Sequence, residues 1–341
     1  MIYREFAMSK SYKILSPQDL QNVSNSETTF ALDVLNGLSE HPKRLSSKYF
    51  YDDTGSVYFQ KIMNLPEYYL TRCETEIIET QKSALLPLLL DESFNIVELG
   101  AGDGSKTSLL IEYFQNQGLA FQYIPIDISE GAMRELTDTM QKRFPDITTT
   151  GIVAEYFDGL KWLSTYNDRR NLVLILGSNL GNFPKPQAKV FLRSLWNTLN
   201  NGDYVFIGFD LKKDIDLMLD AYNDSQGITA AFNLNLLNRI NRELGGNFDL
   251  NKFRFFATYN VFSGAIESYL VSLENQEVSI QKLGQTFSFR SWEPIHTEYS
   301  YKYLASDILE LAEATGYQII KQLFDSKRYF TDSVWKVQKK A

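Results

Sequence analysis

The hydrophobic pattern of the chain is dominated by short apolar runs, each closed by a turn signal and followed by a stretch with helical spacing. Residues 94–100 form the first run, and the helical pattern 106–114 follows its glycines. Residues 121–128 form the second, followed by a helical stretch over 129–142 with Ser129 as its N-cap. A weaker run at 149–153, a strong one at 171–176 with a helix over 186–199, and another at 204–210 continue the alternation. Near-continuous apolar strands alternating with helices predict an α/β fold, a parallel sheet covered on both faces.

After Leu211 the rhythm changes. Residues 212–244 read as helical, with Thr229 as an alternative cap, and 252–292 read as several strands, among them 253–259, 268–273 and 286–290. An insertion spanning about 212–301 accounts for the change, after which a helix at 304–315 and strands at 318–324 and 334–337 resume. Ahead of the first strand, residues 1–40 are polar and irregular apart from a short helix near 27–38, and residues 49–69 are rich in aromatics.

Composition narrows the chemistry. With 341 residues, 44% hydrophobic and 22% charged, the chain is expected to be folded and globular. It has two histidines, His41 and His296, and one cysteine, Cys73. That inventory builds no His/Cys metal cage and no internal disulfide, so no metal is expected and histidine-based nucleophilic catalysis has little to draw on. Cys73 reads as a small buried hydrophobe and His296 as a packing or capping residue. A net charge of -8 without a basic stripe argues against a nucleic-acid partner. No apolar run approaches the ~18 residues of a membrane span, and the first twenty residues lack a continuous apolar leader. A cytoplasmic monomer acting on a small molecule is expected.

The most informative local sequence is Glu98-Leu-Gly100-Ala-Gly102-Asp-Gly104-Ser-Lys106-Thr107. A dinucleotide fingerprint needs a third small residue where Ser105 stands. A phosphate loop of the Walker type matches Gly100, Lys106 and Thr107, but Ser105 replaces the glycine before the lysine. S-adenosylmethionine carries no phosphate; it needs glycines that let the backbone approach its methionine portion and an acid on a neighbouring strand end for the ribose hydroxyls. Glu98 and Asp127 fit, because parallel neighbours bring their C-terminal ends to one edge. A plain tight turn beside a solvated acid is the remaining reading.

The aromatic segment Tyr49-Phe-Tyr51-Asp-Asp-Thr-Gly-Ser56, followed by Leu65-Pro-Glu67-Tyr68-Tyr69-Leu-Thr71-Arg72-Cys-Glu74, resembles the opening signature of the histidine Nα-methyltransferases of ergothioneine biosynthesis. The resemblance continues in order through Glu98-Leu-Gly-Ala-Gly, Pro125-Ile-Asp127, Gly177-Ser-Asn-Leu-Gly-Asn182, Ala221-Tyr222-Asn-Asp224, Thr229-Ala-Ala-Phe-Asn233 and Thr297-Glu298-Tyr299-Ser300-Tyr-Lys302. It implies a Rossmann-like class I methyltransferase sheet with an inserted α+β substrate-binding domain. Residues 77–211 with 302–341 would bind S-adenosylmethionine, and 20–76 with 212–301 the substrate.

By the same resemblance, Gly100, Lys106 and Asp127 contact the cofactor, with Glu155 and Tyr156 beside the adenine. Tyr68, Gly177, Asn182 and Tyr222 meet the substrate's amino and carboxylate groups, and Tyr51 is the catalytic candidate close to the amine. Glu298, Tyr299 and Ser300 fall where the family reads the imidazole, whose N–H a carboxylate accepts strongly. Two positions depart from the family pattern: Ser268 follows Ile266-Glu267 where Met is usual, and Glu155-Tyr156 stands for Asp-Phe. Ser268 leaves another aromatic amino acid or derivative open as substrate, and a non-catalytic cofactor-binding protein of the same fold is the alternative from another class.

Overall fold

A computed structural model describes residues 12–14, 26–90, 93–166 and 169–339 of the chain. The expected domain ranges therefore include residues 20–25, 91–92, 167–168 and 340–341, which lie outside the described residues, as does most of the irregular N-terminus. Fourteen strands occur among the described residues, β1 (Tyr12–Ile14), β2 (Lys43–Arg44), β3 (Phe94–Leu99), β4 (Phe121–Asp127), β5 (Gly151–Val153), β6 (Arg170–Ile175), β7 (Tyr204–Asp210), β8 (Phe253–Asn260), β9 (Ala265–Ser272), β10 (Gln276–Ile280), β11 (Gln285–Phe289), β12 (Pro294–Tyr301), β13 (Tyr317–Phe324) and β14 (Phe330–Val337). Eight of them form one sheet in the order β1-β5-β4-β3-β6-β7-β14-β13. It is parallel from β1 to β7, and β14 and β13 add antiparallel to its far side.

Strand alternation explains the two cores. On β3, Phe94 and Ile96 join one apolar cluster while Val97 and Leu99 join the other; on β6, Leu172 and Leu174 separate from Val173 and Ile175 in the same way. Helices α1 (Ser26–Ser39), α2 (Asp53–Met63), α3 (Tyr69–Gln81), α4 (Ser105–Asn116), α5 (Glu130–Arg143), α6 (Tyr156–Leu163), α7 (Lys185–Thr198), α8 (Ile215–Asp220), α9 (Ile228–Leu244) and α10 (Ala305–Thr315) supply the rest of the covering. Ser129 caps α5 as the sequence suggests, its hydroxyl accepting from Ala132 N–H at 3.2 Å.

The order reverses beside β3, with β4 on one side and β6 on the other. Gly100, Asp127, Gly177 and Asp210 therefore all lie at the C-terminal edge, where ligands bind in this architecture. The chain leaves that edge at Leu211 and returns at Tyr303. The two ends are joined, Lys212 N–H donating to Tyr303 C=O and Tyr303 N–H to Asp210 C=O, each at 2.9 Å. Between them lie α8, α9, the β10–β11 hairpin and three strands of a second sheet ordered β2-β12-β9-β8.

Residues 49–69, read only as rich in aromatics, hold α2 and the first residue of α3. Two elements differ from the sequence-based expectation. The stretch 212–244 divides in two at Gly227, which takes a left-handed φ of 69°. Asp224 accepts from Ile228 N–H and Thr229 N–H, each at 2.8 Å, so Thr229 lies inside the first turn of α9 rather than capping it. A short β1 pairs parallel with β5 where no strand was expected.

Candidate active site

The glycine loop after β3 is shaped by two close approaches. Gly100 has φ of 75°, and a Cβ there would lie 2.5 Å from the Tyr156 hydroxyl and 2.8 Å from Asn179 Nδ2, so only glycine fits. Gly102, also left-handed at 54°, has nothing within 4 Å of a Cβ position and faces open space. Asp127 at the end of β4 steadies the loop, accepting from Gly102 N–H at 3.0 Å and Ser129 N–H at 2.9 Å, while burial pushes its carboxyl above the ordinary range. Glycine backbone, a strand-end acid and the Tyr156 ring beside them suit a nucleoside with an amino-acid tail. Glu155 is the N-cap residue of α6, and its carboxylate reaches Lys48 at 3.1 Å.

Glu98 does not reach this rim. It is buried on the sheet, accepting from Thr107 Oγ1 at 2.6 Å and from the Tyr123 hydroxyl, and burial pushes its carboxyl up to about 7. Its side chain follows the alternation of β3 into the core, so of the two acids that fitted the cofactor reading only Asp127 is at the edge.

Lys106, in the first turn of α4, turns inward to pair with Glu74 of α3. Glu74 is fully buried and also accepts Gly177 N–H at 2.8 and 2.9 Å. One carboxylate thus joins the cofactor loop to the loop after β6. Beside it Asp332 of β14 is fully buried with neither carboxyl oxygen receiving a hydrogen bond; burial first, and Glu74 second, push it well above the ordinary carboxylate range. As a neutral acid it has one partner for its hydrogen, Glu74.

A second cavity wall begins at Gly177. Tyr51, Tyr68, Gly177, Asn182, Tyr222, Glu298 and Ser300 all line one cavity, seven of the eight positions assigned to substrate or catalysis. The eighth, Tyr299, faces away from it. Glu298 and Ser300 share a face of β12, and Tyr299 between them packs on His296 at 4.0 Å and Tyr301 at 5.5 Å between ring centroids. His296 belongs to that outer cluster, and burial lowers its pKa to about 4. Burial also pushes Glu298 up to about 7, with Lys302 pulling the other way. Tyr51 stays a neutral phenol, raised by burial and then by Glu298, Tyr68, Tyr156 and Asp127. It lines the cavity that begins at Gly177.

Several residues around the cavity had no site role assigned from the sequence. Phe59 and Phe232 pack against Tyr51, with centroids 5.6 and 5.7 Å away, and make an aromatic wall. Thr229 lines the cavity with a buried hydroxyl that has no partner. Ser268 is the register partner of Glu298 on the neighbouring strand, so the two share a face of the sheet, and it is buried. Beneath the wall, Lys302 is fully buried, with Nζ 2.8 Å from Asp210, 3.0 Å from the Tyr222 hydroxyl and 2.8 Å from Ser300 Oγ.

The family model described as histidine-specific, SAM-dependent methyltransferase matches residues 30–337, nearly the whole described chain. The chain belongs to that family. The histidine N-alpha-methyltransferase of Mycolicibacterium smegmatis is 36% identical over 83% of this chain and 87% of its own length. That of Mycobacterium tuberculosis is 33% identical over 84% and 88%. Ergothioneine biosynthesis protein 1 of Schizosaccharomyces pombe is 27% identical over 89% of this chain and 40% of that longer protein. This methyltransferase thus uses S-adenosylmethionine and takes a small-molecule substrate, and its Gly100, Asp127 and Tyr156 form a cradle that fits the cofactor.

Proposed function

We propose that this methyltransferase transfers methyl groups to the α-amine of L-histidine, up to the trimethylated betaine hercynine, within ergothioneine biosynthesis. The observation that carries the reading is the convergence of Glu298, Ser300, Tyr222, Tyr68, Asn182 and Tyr51 on one cavity next to Gly177. When bound, S-adenosylmethionine supplies a methyl group activated by the sulfonium, so the protein's work is alignment and exclusion of water.

Asn182 and Tyr68 hold the substrate's carboxylate and amino groups without adding charge, and Tyr222 offers the amine a lone pair of its hydroxyl oxygen. Glu298 accepts from the imidazole N–H. Tyr51, kept as a phenol, accepts a hydrogen bond from the amine and turns its lone pair toward the cofactor edge, with water taking the departing proton. Each added methyl makes the amine bulkier and less able to donate, and the faces of Tyr51, Phe59, Tyr68 and Phe232 suit a methylated ammonium through cation–π attraction.

Incubation with S-adenosylmethionine and each amino acid, read by mass, tests the assignment: histidine should gain up to three methyl groups. No gain on histidine, with gain on another amino acid, overturns it. Glu298→Ala should weaken histidine binding about ten- to two-hundredfold, the worth of a hydrogen bond to a charged group, while binding of S-adenosylhomocysteine stays within about twofold. Equal losses would misplace the imidazole role.

A further inference from the structure

The polar wall opposite the ligand is set by a residue that does not touch the cavity. Lys302 Nζ has three hydrogens and three acceptors: Asp210 Oδ2, the Tyr222 hydroxyl and Ser300 Oγ. The two hydroxyls are themselves 2.6 Å apart. A phenol is far more acidic than an aliphatic hydroxyl, so Tyr222 is the donor in that bond and Ser300 the acceptor. Ser300 Oγ then receives two hydrogens, one from Lys302 and one from Tyr222, and both of its lone pairs are filled. The only group it has left is its own O–H, directed to the cavity it lines.

We infer that Lys302 is a positioning residue for substrate selection: acting directly and through Tyr222, it makes Ser300 an obligate hydrogen-bond donor to the bound ring. The inference rests on the histidine reading above. A neutral imidazole has one N–H and one bare nitrogen. Glu298 accepts from the first and Ser300 donates to the second, and the match is complete. An additional proton on the ring leaves a ring N–H facing the Ser300 O–H, with no lone pair to receive it. The occupied site therefore refuses that proton. The titratable and charged groups around the pair are Glu298 on the same strand, Asp210 at the end of β7, Lys213 after it, Tyr69 on α3, and Tyr68 and Tyr51 ahead of α3 and α2. Asp210 keeps two partners without Lys302, since Tyr69 donates to it at 2.8 Å and Lys213 pairs with it.

The test is calorimetric titration of L-histidine into the full chain saturated with S-adenosylhomocysteine. It is run near pH 8 and near pH 5.5, either side of the imidazole pKa of about 6.5, in buffers of different ionisation enthalpy so that proton release is counted. For the wild-type chain the affinity should fall by up to about tenfold per pH unit below about 6.5, with protons released on binding. In Lys302→Met, Ser300 regains a lone pair and accepts the additional N–H, so about one proton fewer is released and the fall is about tenfold shallower per unit. A variant that merely loosened the fold would weaken binding at both pH values without changing the proton count. Wild-type affinity that is equal at the two pH values without proton release overturns the inference, and needs no variant to be measured. Equal proton release by wild type and Lys302→Met also overturns it. Absence of histidine binding near pH 8 overturns the histidine reading, and the inference with it.

Discussion

Asp332 and Glu74 show how a single proton can be part of the architecture. A carboxylate beside another carboxylate in a fully buried site is costly, and burial with Glu74 beside it pushes the Asp332 carboxyl well above the ordinary range, toward its neutral form. In the unfolded chain the same group ionises near its ordinary value, so above about pH 4 unfolding releases a proton, and folded stability falls as pH rises. Asp332→Asn keeps a donor for Glu74 and has nothing to ionise. It should therefore gain on the wild type by up to about 1.4 kcal/mol per pH unit between about pH 4.5 and 7. Urea unfolding of both chains across that range measures the gap; a constant gap would mean that Asp332 is charged. None of this was legible in the sequence, because Glu74 and Asp332 are 258 positions apart and the packing of α3 on β14 brings them together. Glu298, Ser300 and Asn182 were legible because they sit within motifs; Lys302 lies in the same motif, but its role depends on a contact with Asp210.

At the scale of elements, β7 is where sequence pattern and function meet. Its seven residues are all buried, and the run Tyr204–Asp210 announces a central strand. Gly208 within it looks like a weak point of that pattern. The structure gives the reason: a Cβ there would lie 2.2 Å from Glu74 Oε1 and 2.9 Å from the Phe330 ring. Glu74 is pinned by Lys106 and Gly177 and has nowhere to move. Gly208→Ala should cost about 1–3 kcal/mol of stability by overpacking and raise the KM for cofactor and substrate together. Unchanged KM values alongside a lowered Tm would show that the loops tolerate a displaced Glu74. The other central strands were equally legible, since each is a compact apolar run. Less legible was β12, whose polar residues Glu298 and Ser300 face the site while Thr297 at its bulge bonds to Asn233, so its sequence reads as a motif without a strand. The three residues of β1 gave too short a pattern to detect.

At the scale of the molecule, one apolar cluster runs from Phe30 and Ile62 through Leu172 and Phe206 of the central sheet to Phe232, Leu236 and Ile266 of the insertion. A core shared across the cofactor-binding and substrate-reading parts predicts a single cooperative transition in calorimetry rather than two. Two separated transitions, only one of them shifted by S-adenosylhomocysteine, would mean that the parts fold independently. The joined ends of the insertion add a consequence of another kind. Because the chain departs at Leu211 and re-enters at Tyr303 through paired backbone bonds, the excursion hangs from one root, and Asp210 with its two lysines sits at that root. The length and content of the excursion can drift over evolutionary time without disturbing the order of the sheet, provided the root stays intact. New acceptor molecules are then most readily reached by rewriting the far parts of this branch, while the residues at its base remain as they are.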